Sequence, residues 1–184
     1  MHALHKILVY IPEAVSDPKN YTRQELINEI RLYAEMNTDD FYLTVFDQRT
    51  TETAGRWENL YPVNVLFAKD DVAKFLQELT ITKELQHQEI QQNLLYLKEM
   101  IGTDLEEIIL EIEKLKRKSD RTEKIDSMAD YFLYQIAALL NGTYILNSYF
   151  YNVADCTARL YQDDLTEVEN APDDWALVLF DCHN

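Results

Sequence analysis

Glycine is scarce in this chain of 184 residues: Gly55, Gly102 and Gly142 are the only three, and none has a second close by. A phosphate-cradling loop and a dinucleotide fingerprint both need clustered glycines, so neither can be written anywhere in the sequence. Cysteine is scarcer still. Cys156 and Cys182 cannot make a disulfide framework, and a chain of this length buries a core without one, so a reducing cytoplasmic home is expected. Long apolar runs are missing too. Ile7–Ile11 stops at Pro12, short of the about seven residues of a signal-peptide core. Phe132–Leu140 is interrupted by Gln135 and lies far below the roughly 20 residues that cross a bilayer. No membrane partner is expected. Asn141-Gly142-Thr143 fits a glycosylation sequon, but in a cytosolic chain the Asn-Gly pair reads as a helix stop and turn.

Positive charge is the last deficit. Seventeen Lys and Arg face thirty-three Asp and Glu, a formal net charge of −16 with a pI near 4.5. Such a surface repels nucleic acid and favours basic protein partners. The apolar fraction, 47%, is ordinary for a globular protein, so a packed core is expected rather than disorder.

The pattern of elements begins with a buried strand over His5–Ile11, closed by Pro12. A helix follows, with Thr22 and Glu25 in a capping box and Leu26, Ile27, Ile30, Tyr33 and Ala34 at helical spacing up to Met36. Phe41–Phe46 and Val63–Phe67 read as two strands of a loose hairpin, joined by a polar stretch that holds Gly55 and Trp57. Asp70 can cap a second helix with Val72, Phe75, Leu76 and Leu79 on one stripe. From about Thr82 to Tyr161 there is no proline and the pattern is helical. Leu94, Ile101, Leu105, Ile108, Ile112 and Leu115 form a heptad-like seam, and Thr143–Tyr161 reads as a last helix on its apolar steps of four and three. Trp175–Phe180 is a final strand. This order, β, α, β, β, α and then β, predicts an α+β fold: a ferredoxin-like small sheet with a long, mainly helical insertion before the last strand. Residues 1–81 and 163–184 would make the sheet framework, and 82–162 the insertion. A helical bundle with a small sheet at one end is the alternative.

Chemistry-bearing residues are few. Glu84 and His87 make one Glu-x-x-His step, but a di-iron bundle needs two, so both are expected as exposed helix residues. In a ferredoxin-like sheet the first and last strands are antiparallel neighbours, which would gather His2, His5, Cys182 and His183 as candidate zinc ligands. The competing view is that they are ordinary terminal residues. Asp181-Cys182-His183 offers no nucleophile beside a base, because consecutive strand residues face opposite sides. No cofactor and no catalytic residue are assigned.

The charge map is more distinctive. Lys114, Lys116, Arg117, Lys118, Arg121 and Lys124 stand against only Asp120 and Glu123. That segment nets +4, which leaves −20 on the rest of a chain of −16. The basic tip is either a solvated turn or a contact for an acidic surface such as a second copy, and the seam and the tyrosine-rich helices also point to a homodimer. The acidic faces are Glu106, Glu107, Glu111 and Glu113, and the loop Asp163, Asp164, Glu167, Glu169, Asp173 and Asp174. In composition alone the chain resembles the anti-restriction and anti-CRISPR proteins of phages and mobile elements. That resemblance implies a non-enzymatic inhibitor that occupies a basic nucleic-acid-binding protein or nuclease by nucleic-acid mimicry. One alternative is a cytosolic enzyme or ligand-binding domain using Glu13, Asp17, Arg56 and Trp57 at the sheet ends. Another is a structural or adaptor protein assembling through its helices.

Overall fold

The computed structural model describes residues 2–45, 48–101, 106, 109–110, 148–154, 157–158 and 166–183. It is α+β, with a six-stranded mixed sheet. In chain order the strands are β1 His2–Tyr10, β2 Gln48–Thr50, β3 Val65–Phe67, β4 Ser148–Asn152, β5 Thr157–Ala158 and β6 Trp175–His183. The helices are α1 Ile11–Ala14, α2 Arg23–Val45, α3 Val72–Ile101 and α4 Thr166–Asn170.

The two nine-residue strands β1 and β6 run antiparallel along their whole length, from His2 opposite His183 to Tyr10 opposite Trp175. Both faces of this ribbon are covered, so both strands read as nearly unbroken apolar runs rather than alternating ones. Odd residues of β1 and even residues of β6 face α2: Ala3, Ile7, Val9, Ala176, Val178 and Phe180 pack there with Leu26, Ile27, Ile30 and Ala34. The opposite residues, among them Leu8, Trp175 and Leu177, pack with Phe75 and Leu79 of α3. Pro12, in the first turn of α1, ends the ribbon because it cannot continue the ladder.

The first helix begins where the capping box places it. Glu25 Oε2 accepts from the Thr22 N–H at 2.8 Å and from the Thr22 hydroxyl at 2.7 Å. It does not stop at Met36. No glycine or proline interrupts residues 23–45, and Asn37 and Thr38 return their side chains to the carbonyls of Tyr33 and Ala34 within the helix. The expected strand Phe41–Phe46 is therefore helical through Val45. The second long helix is capped by Asp71, whose Oδ1 accepts from the Lys74 N–H at 3.0 Å. Asp70, the expected cap, pairs instead with Arg23.

The strand pairing differs from the ferredoxin-like order. That order places the Val63–Phe67 strand beside β1, but β3 pairs with β6, on the other side. The second neighbour of β1 is β4, and it is parallel. It lies inside the span expected as the Thr143–Tyr161 helix. The aromatic sequence Tyr149-Phe150-Tyr151 suits a half-buried pleated surface, and here it closes the open edge of β1. Residues 111–147, the middle of the expected insertion, lie outside the described residues, as do seam positions Leu105, Ile108, Ile112 and Leu115 and both turns Gly102-Thr103 and Asn141-Gly142.

Candidate functional site: the polar groups under the third helix

On the α3 side of the ribbon, β1 presents His2, Leu4, Lys6 and Leu8 in turn, because side chains alternate along a strand. Two of the four are cation-forming, and each meets a carboxylate. Lys6, buried to 4% exposure, donates through Nζ to Glu78 Oε2 and to the Glu78 carbonyl, both at 3.0 Å. The Tyr61 hydroxyl donates to the same Oε2 at 2.6 Å. Burial pulls the Lys6 ammonium below the usual lysine range, opposed by its bond to Glu78. Burial also raises the Tyr61 phenol, helped by the same carboxylate. The trio is closed on itself and pins both α3 and the 55–61 segment to the sheet.

One turn of the pleat further out, His2 Nδ1 lies 2.8 Å from Asp181 Oδ1. Asp181, itself 5% exposed, accepts on Oδ2 from the Arg56 N–H at 3.0 Å. That approach depends on Gly55, whose φ of +54° suits glycine and whose missing Cβ would collide with the Asp181 carboxyl. Asn64 holds the other end of the same loop to β6: its side chain donates to the Leu179 carbonyl, and its own carbonyl accepts from the Leu179 N–H at 2.8 Å. The His183 ring sits beside His2, with centroids 4.4 Å apart and planes tilted by 49°.

The α2 side is chemically quieter. His5 is buried, and burial first, then the positive Arg49, lowers its pKa to about 3, so the ring is neutral. Burial pushes the Cys182 thiol up to about 12, Arg49 opposing and Asp181 adding, which leaves it a poor nucleophile. Arg49 lies over the Phe180 ring at 5.4 Å. It donates to Thr38 Oγ1 at 3.0 Å and pairs with Asp39 and, at 3.7 Å, Glu35.

The candidate zinc set therefore divides. The register does bring the two termini together, but the pleat sends His2 and His183 to one face and His5 and Cys182 to the other. Among the described residues no group of three or more His, Cys, Asp or Glu is arranged to hold a metal ion. Glu84 and His87 are exposed on α3, as expected. The sheet-end residues do not meet either. Glu13 and Asp17 follow the C-terminal end of β1, whereas Arg56 sits on Asp181 opposite Leu4, most of a strand of about 30 Å away. Of the acidic residues, Glu106, Glu167, Glu169 and Asp173 are exposed and Asp174 is half-buried. Glu107, Glu111, Glu113, Asp163, Asp164 and the basic tip from Lys114 to Lys124 lie outside the described residues.

Lys6, Tyr61, Glu78 and the pairing of Asp181 with His2 went unread in the sequence. A signal existed for Lys6, a single lysine inside the run His5–Ile11. Its partner, 72 residues away, left none. Among the described residues no helix is long and apolar enough to cross a membrane. No protein-family model, curated protein or solved structure matches the chain.

Proposed function

We propose that the chain works by binding a basic protein rather than by turning over a substrate, its carboxylates standing where nucleic-acid phosphates would lie. The observation that carries this reading is the excess of thirty-three acidic over seventeen basic side chains. The buried charges support it. Lys6 is matched by Glu78, and Asp181 is held by hydrogen bonds from the His2 ring and a backbone N–H, so these buried groups account for little of the net −16. Among the described residues, the carboxylates of Glu52, Glu58, Glu84 and Glu106 are exposed. The −20 outside the basic tip equals the phosphate charge of about ten base pairs of duplex.

The corner from α4 to β6 is a suitable support for such a surface. Glu167, Glu169 and Asp173 are exposed, while Val168 and Trp175 between and beside them are buried. The Ala171 N–H donates to the Glu167 carbonyl and the Asp174 N–H to the Ala171 carbonyl, both at 3.0 Å, which fixes the spacing of the carboxylates. A basic channel in a DNA- or RNA-binding protein or nuclease is the partner chemistry that fits. The test is competition: purified basic DNA-binding proteins and nucleases are assayed for duplex binding with and without the chain. Displacement of duplex by the wild type, weakened at least tenfold by joint Glu167→Lys, Glu169→Lys, Asp173→Lys and Asp174→Lys changes, is expected. Displacement unchanged by those reversals would remove this corner as the mimic surface.

A further inference from the structure

His2 and His183 face each other across the β1–β6 ladder on the side away from Cys182 and His5. Their surroundings are more elaborate than a chance terminal pair requires. The His2 side chain is about a quarter exposed, at 26%, while the carboxylate bound to its Nδ1 is almost wholly buried. With Nδ1 as donor to Asp181, the second ring nitrogen, Nε2, keeps its lone pair for another group. A histidine that binds a metal commonly has its other nitrogen tied to a carboxylate in this way, which fixes both the tautomer and the ring direction. Asp181 is fixed in turn by the Arg56 N–H, in a space that Gly55 keeps open by lacking a side chain.

The ring separation suits a shared ion. A nitrogen at about 2.0–2.1 Å from zinc puts its ring centroid roughly 3 Å away, so two rings on one ion lie roughly 4.5–5 Å apart. The observed separation, 4.4 Å, lies just below that range, so a slight opening of the pair by side-chain rotation brings both rings onto one ion. The protein's acidic field concentrates cations around it as well. From this arrangement we infer that His2 and His183 form a binding site for a divalent first-row transition cation such as zinc, copper or nickel, with Asp181 as the residue that orients His2. Imidazole is the ligand type these ions accept readily, and water completes the coordination. With two protein ligands the site binds more weakly than a structural zinc centre, which has four. The site is independent of the binding function proposed above.

The experiment is calorimetric titration of the full chain with zinc chloride, with thermal unfolding of each variant as the folding control. One ion per chain is expected for the wild type. His183→Phe, which preserves the ring packing and removes the ligand, should weaken binding at least tenfold. Asp181→Asn keeps both imidazoles and should weaken it about 10- to 100-fold, while His87→Ala, on the exposed face of α3, should change nothing. Absence of zinc uptake by the wild type overturns the inference. So does uptake that His2→Ala abolishes but His183→Phe leaves intact, since the ion would then sit on His2 without His183.

Discussion

The two faces of the β1–β6 ribbon are cut from the same eighteen residues and solve the problem of burial in opposite ways. On the α2 face the ribbon's own polar side chains stay neutral, His5 as an uncharged imidazole and Cys182 as a protonated thiol, both set first by burial, with Arg49 of β2 lowering the His5 pKa further and opposing the rise at Cys182. The α3 face keeps carboxylates, Glu78 bound by the Lys6 ammonium and Asp181 by the His2 ring, and supplies each with a second donor from the 55–61 segment. The contrast shows that burial alone does not decide whether a strand residue carries charge. A charged group persists in the interior where neighbouring elements bring enough hydrogen-bonding partners to replace water.

The largest effect expected from breaking this contrast is on the α3 face. Glu78→Ala removes the carboxylate that answers the Lys6 ammonium and the Tyr61 hydroxyl, leaving Lys6, among the described residues, only its bond to the residue-78 carbonyl, and should cost about 3–5 kcal/mol of stability by urea denaturation. Changing both partners together, Lys6→Met with Glu78→Leu, should recover most of that loss. A single-variant cost under about 1 kcal/mol would mean that water reaches the pair and that the two faces differ less than their geometry indicates.

The α2 face answers to pH. His5 titrates near 6.5 when unfolded and near 3 when folded, so between those values the unfolded chain holds the extra proton. Stability from the neutral ring is complete above pH 6.5 and is lost as the pH falls toward 3. At pH 5 the loss amounts to about 2 kcal/mol. His5→Phe removes the titrating group, so the wild type should lose more stability than this variant between pH 7 and pH 5 in urea titrations. Parallel pH dependence in the two proteins would show that the ring is hydrated.

A smaller change sharpens the role of the 55–61 segment. Gly55→Ala places a side chain at φ +54° and against Asp181. It should cost about 1–2 kcal/mol for the backbone conformation alone, read as a lowered urea midpoint, and should also shift the NMR signals of the His2 ring. A shift in stability with the His2 signals unmoved would separate Gly55 from the Asp181 socket.

Much of the framework is legible in the sequence, and the reasons are local. Thr22 and Glu25 announce the start of α2 because the two partners of the capping box lie three residues apart. The runs around Ile7 and Leu177 announce the central strands because both faces are buried. Adjacency of the chain termini follows from pairing the first and last strands. What escaped is set by distant sequence. The end of α2 has no breaker residue to mark it, so its last turns resemble a strand in composition. The strand β4 carries helical spacing along with its aromatics, and only the open edge of β1 decides between them. The polar groups of the α3 face depend on register and on a loop crossing, which no single segment encodes.

The inner pairing of charge on the α3 face accounts for little of the acidic excess, and the binding reading stands on that excess. Its most direct test is the affinity of the chain for a basic DNA-binding protein or nuclease that it displaces from duplex, measured as salt rises from 0.1 M, where the Debye length is about 10 Å, to 1 M, where it is about 3 Å. The account predicts that affinity falls steeply over this range and that the fall is shallower after reversal of Glu167, Glu169, Asp173 and Asp174. Affinity that stays constant across the same range would contradict it, because a surface of carboxylates standing in for phosphates cannot hold its partner once the field is screened.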